Sequence, residues 1–113
     1  MTSNADVVER LYRTILSRKG GDPDKSHTAK LFARGRARMA QKVGEEAVEL
    51  AIAAVKNDRD EVRMESTDLL YHLLVLWADC GLTPDDIFAE LVRREGTSGV
   101  DENSPAVASP IYE

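Results

Sequence analysis

The sequence predicts an all-α fold: a small antiparallel helical bundle with two long central helices and one or two accessory helices. Three observations lead there. Aromatic residues make up only 5% of the 113-residue chain, and alternating β-branched runs are scarce, which argues against an all-β core. Apolar residues recur at helical spacing through most of the chain. Glycine and proline fall at the ends of those runs, where helices stop and start. The length suits one domain with one core, and 42% hydrophobic residues suffice to fill it.

A first helix is expected over residues 5–18, where Val7, Val8, Leu11, Ile15 and Leu16 share a face and Asn4 or Asp6 can cap. Lys19, Gly20 and Gly21 end it, and GGDPDKS is a turn by composition. A short helix follows in SHTAKLFARG, capped by Ser26 and closed by Gly35, with Lys30 and Arg34 on one face. The long helices should cover about Arg36–Lys56 and Asp60–Asp79, separated by a polar turn at Asn57 and Asp58. Gly81 stops the second, and Thr83 caps a last helix that has Pro84 at its first position and ends near Arg94. Residues 1–96 thus form the helical domain. Residues 97–113, rich in Gly, Ser and Pro, read as an irregular or mobile tail.

The net charge of −5 hides a division: residues 1–44 carry +6 and residues 45–113 carry −11. A basic half facing an acidic, metal-collecting half suits a polyphosphate ligand, whereas two ordinary solvated surfaces are the plain alternative. Duplex nucleic acid is a poor partner for a chain of this sign with no basic stripe interleaved with aromatics. No apolar stretch resembles a signal peptide or approaches the ~20 residues that span a bilayer. The lone Cys80 has no disulfide or zinc partner and is expected to be a buried, inert side chain near a helix end. A soluble, cytoplasmic protein without membrane contact is the expectation.

The long helices carry the chemistry. At about 100° per residue, Lys42, Glu45, Glu46 and Glu49 fall within about a quarter turn of an otherwise apolar helix. On the next helix, Glu61, Glu65, Asp68, His72 and Asp79 form a stripe of about 60° without Lys or Arg. Like charges at such spacing are mildly destabilising, and carboxylates crowded among apolar residues need neutralising. The pairs Glu46–Glu49 and Glu65–Asp68 can converge from two antiparallel helices around one hard divalent ion. Magnesium fits best and manganese substitutes. A di-iron site competes, but it needs Glu-x-x-His pairs, and only His72 lies near. A polar face paired with Lys and Arg from neighbouring helices is the structural alternative. His72 itself reads either as a hydrogen-bonded bundle residue or as a ligand. Tyr71 and Trp77 read as core or interface.

The run KVGEEAVELAIAAVKNDRDEV followed by ESTDLLYHLLVLWADCGL resembles the phosphoribosyl-ATP pyrophosphatase family, the pyrophosphohydrolases of histidine biosynthesis. This family is one of the all-α nucleotide pyrophosphatases, whose signature is E-x-x-E and then E-x-x-D. The similarity covers about residues 11–99. It implies magnesium-dependent hydrolysis of phosphoribosyl-ATP to phosphoribosyl-AMP and pyrophosphate by a helical homodimer. Carried over by position, Glu46, Glu49, Glu65 and Asp68 are the metal ligands and Glu45 the water-orienting base. Lys30, Arg34 and Lys42 are candidates for phosphate contacts, with Glu61 and His72 in support around the ligands. The broad apolar surface on the long helices independently favours self-association. The tail lacks the basic residues common in the family, so tail contacts to phosphate are not expected. Two rival readings use the same residues: a house-cleaning pyrophosphatase for non-standard nucleoside triphosphates, and a non-enzymatic module whose acidic stripe binds a basic partner.

Overall fold

The computed structural model describes residues 4–96. A 3-10 turn at Asn4–Asp6 leads into α1 (Val7–Arg18), followed by α2 (His27–Arg34), α3 (Arg36–Val55), α4 (Arg59–Cys80) and α5 (Pro84–Arg93). Every regular element among the described residues is helical, and each predicted helix is present to within two residues at either end. The expected tail at 97–113 lies outside the described residues.

The helix ends follow the local chemistry. Ser26 Oγ accepts a hydrogen bond from the Ala29 N–H, and Asp58 does the same for Glu61. Thr83 and Asp86 exchange side-chain and backbone bonds in a capping box. Gly81, at φ +77°, closes α4 with the Leu82 N–H bonded to the Trp77 carbonyl, a left-handed stop that costs glycine nothing. One expectation fails at α1: Asp6 occupies the cap position but its side chain does not cap. The preceding turn already places Asp6 in right-handed helical geometry instead of the extended one a cap adopts.

α3 and α4 form an antiparallel hairpin, and α1 and α2 pack across one half of it. The core sits in that half, where Tyr12, Ile15, Leu31, Met39, Leu74, Val75 and Ala78 are buried together, with Tyr71 and Trp77 packed on its edge. Tyr12 is also an anchor: its hydroxyl donates to the Leu82 carbonyl at 2.7 Å, tying α1 to the approach to α5. Cys80 is exposed, contrary to expectation. Ala78 takes the inward position on the last turn of α4, and two residues further the helix has turned about 200° away.

The other half of the hairpin is less covered. Val48, Ile52, Val55 and Met64 are exposed there, Val55 at 85%. Along α3 and α4, Glu46, Glu49 and Glu65 come between this bare half and the core.

Candidate metal centre

Glu46 and Glu49 lie one turn apart on α3, and Glu65 faces them from α4. One carboxylate oxygen from each lies within 4.8 Å of the other two, close enough to share a single ion. Glu46 is buried at 8% exposure, Glu65 is half-buried and Glu49 opens to solvent. The apolar runs that pack the helices together are what force these carboxylates into proximity.

The electrostatic cost falls on Glu65, whose carboxyl is pushed up to about 7. Desolvation is the main cause; hydrogen bonding and repulsion with Glu46 and Glu49 add to it. Its Oε2 is buried with no hydrogen-bond partner. An orphaned buried oxygen beside two more carboxylates is a donor set for a hard cation, and it contains no sulfur or imidazole that would select a softer metal. The residues present therefore fit a hard divalent cation.

The remaining predicted residues are distributed around this trio. Asp68 is exposed and does not belong to the converged group. Its charge is felt by His72, one turn further along α4. Glu61 is half-buried, one turn before Glu65, and also outside the group. Asp79, at the far end of the stripe, accepts a 2.7 Å bond from Arg36 Nε, while a second Arg36 nitrogen bonds the Asp79 carbonyl at 2.9 Å. The stripe thus separates into a converged carboxylate, an open one and a structural ion pair.

Glu45 is not one of the converged trio. Gln41 donates to its Oε1 at 2.9 Å, Arg38 lies 3.6 Å from the same oxygen, and Lys42 Nζ lies 3.6 Å from Oε2. Lys42 Nζ also sits 3.4 Å from Glu46 Oε1. Among the described residues it is the only cation paired with the trio, and it comes from the same helix, not a neighbouring one. Lys30 and Arg34 are exposed on α2, and neither is in an ion pair among the described residues.

His72 is buried at 6% exposure, and its Nδ1 has no hydrogen-bond partner, unlike the hydrogen-bonded bundle histidine weighed from sequence. Burial first, and the Lys42 charge second, lower its pKa and keep the ring neutral. Sequence reasoning missed the partners of Glu45: Arg38 and Gln41 lie seven and four residues before it, a helical spacing legible in advance. It also missed that Tyr71, read as packing, hydrogen-bonds Thr28 and faces the His27 ring on α2.

A helical hairpin that gathers three carboxylates within one ion's reach, one of them paired with a lysine, defines a protein able to hold a hard cation. Residues 8–95 match the family model described as phosphoribosyl-ATP pyrophosphohydrolase, and the chain belongs to that family. It is similar to the phosphoribosyl-ATP pyrophosphatase of Paramagnetospirillum magneticum, at 62% identity over 102 residues covering 90% of this chain and 94% of the relative. The enzyme of the same name from Azospirillum brasilense is 57% identical, over 89% of this chain and 91% of its own. That of Cereibacter sphaeroides is 54% identical, over 87% and 95%.

Proposed function

We infer that this protein is a phosphoribosyl-ATP pyrophosphohydrolase, an enzyme of histidine biosynthesis that cleaves phosphoribosyl-ATP to phosphoribosyl-AMP and pyrophosphate. The observation that carries the reading is the family match over residues 8–95, which spans the whole α3–α4 hairpin and its carboxylates.

In this reading Glu46, Glu49 and Glu65 hold magnesium, with manganese as substitute. Asp68 completes the set by a change of side-chain rotamer, since it lies one turn from Glu65 on the same side of α4. When bound, the ion would supply charge neutralisation for the polyphosphate and for the departing pyrophosphate. Lys42 and Lys30 contact phosphate oxygens as point charges, and Arg34 does so through its planar guanidinium. Glu45, held in place by Arg38, Lys42 and Gln41, orients the attacking water and takes its proton as the anhydride bond breaks. His72 and Glu61 support the ligands from either side along α4, and the neutral imidazole adds no charge next to Lys42.

The protein works as a homodimer in this proposal, with Val48, Ile52, Val55 and Met64 covered by a second copy. Residues 1–96 form the catalytic domain. No helix among the described residues is long and apolar enough to cross a membrane. A cytoplasmic setting agrees with the exposed free thiol of Cys80, which a reducing compartment preserves.

The test is magnesium-dependent release of pyrophosphate from phosphoribosyl-ATP, measured beside dUTP and dCTP. Glu49→Gln, in the exposed member of the trio, should lower turnover about 100-fold or more, the scale of losing a metal's charge stabilisation. Intact activity in that variant refutes the ligand assignment, and preferential turnover of dUTP or dCTP refutes the substrate.

A further inference from the structure

We propose that Lys42 is an exchangeable internal cation: it occupies Glu46 while no divalent ion is bound, and it transfers to a substrate phosphate oxygen when the ion displaces it. The inference rests on the reading of Glu46, Glu49 and Glu65 as ligands and adds a displacement step to it.

Glu46 is the most buried carboxylate of the trio, and a charge so placed requires a partner. Lys42 supplies one at 3.4 Å, on a carboxylate that the converged group also uses. Glu46 Oε1 cannot serve both an ammonium and a divalent ion at full strength, so the two cations compete.

The contacts are those of a poised group, not a locked one. Both Lys42 pairs, at 3.4 and 3.6 Å, exceed the roughly 2.7–2.9 Å of a well-made charge-assisted hydrogen bond. Arg36–Asp79, at 2.7 Å, shows what a tight pair looks like in the same molecule. Departure of Lys42 also leaves little unsatisfied at Glu45, because Gln41 and Arg38 both hold its other oxygen. The flexible four-carbon stem lets the ammonium swing without moving the helix.

Once an ion holds Glu46, the lysine keeps only its long 3.6 Å pair with Glu45 and is repelled by the new charge. A phosphate oxygen of the substrate then offers it a closer anion. Each binding event thereby favours the other, and by linkage the favour is mutual.

Calorimetric titration of the whole chain with Mn2+, alone and with excess AMP, tests this. Lys42→Met keeps the aliphatic stem and removes the charge; thermal unfolding checks its fold. It should bind Mn2+ alone about three- to tenfold more tightly, the scale of one partly exposed ion pair and the repulsion that goes with it. The tightening that AMP gives to Mn2+ binding in the parent chain should shrink by a similar factor. Unchanged Mn2+ affinity with a lowered melting temperature marks Lys42 as a structural counterion and overturns the proposal. Tighter Mn2+ binding with undiminished coupling to AMP marks it as a static charge and overturns the transfer. Glu49→Gln separates this from failure of the ligand reading: Mn2+ binding that ignores that substitution refutes the ligand set, and the transfer with it.

Discussion

Raising the pH from 6 to 8 should change how a divalent ion binds between α3 and α4. Glu65 titrates near 7 because it is desolvated and crowded by Glu46 and Glu49, yet an ion requires it ionised. About nine-tenths of the molecules carry a proton on Glu65 at pH 6, half at pH 7 and about one-tenth at pH 8. Binding therefore releases about 0.9 proton at pH 6 and about 0.1 at pH 8, and apparent affinity falls up to tenfold per unit below 7. Calorimetry with Mg2+ in two buffers of different ionisation heat counts those protons directly. An equal count at both pH values refutes the account of Glu65. The same shift acts on folding with a definite sign. The folded chain binds this proton more tightly than the unfolded one, where the group titrates near 4.5. Without metal, stability then declines as pH rises from about 4.5 through 7, and Glu65→Gln flattens that slope.

Three further outcomes follow from packing. Leu74 is fully buried, so Leu74→Ala should cost about 2–5 kcal/mol and lower the melting temperature by about 8 °C or more, read by thermal unfolding. Tyr12→Phe removes the bond to Leu82 and should cost about 1 kcal/mol in chemical denaturation; a value near zero would show that water replaces the hydroxyl. Ile52→Lys places a charge in the exposed apolar strip of α3, and sedimentation should show a dimer of the parent chain giving way to monomer, with no change in oligomeric state refuting the proposed interface.

The helices were legible because their signals are local. Ser26, Asp58, Thr83 and Gly81 each act through bonds to residues three positions away, and the structure shows those bonds. The convergence of Glu46, Glu49 and Glu65 was legible from helical periodicity plus an antiparallel turn. Asp68 was not separable from its neighbours, because three residues along a helix change the direction of a side chain by about 60° and only packing decides which direction meets the partner helix. Cys80 was misplaced for the same reason: an apolar neighbourhood in sequence does not say which residue of the last turn faces inward. The Arg36–Asp79 pair joins residues 43 apart, and nothing in either local pattern announces it.

The turn between α3 and α4 has a kinetic consequence. It spans Lys56, Asn57 and Asp58, with Asn57 at φ 58°, and it joins two helices that carry every member of the carboxylate trio. Closing so short a loop costs little entropy, so the two halves of the site meet early while the chain folds. A cation held there fastens the hairpin like a clasp. Its escape is then governed by the local opening of two helices, and amide exchange along the buried faces of α3 and α4 should slow when the ion is present while that of α5 keeps its pace.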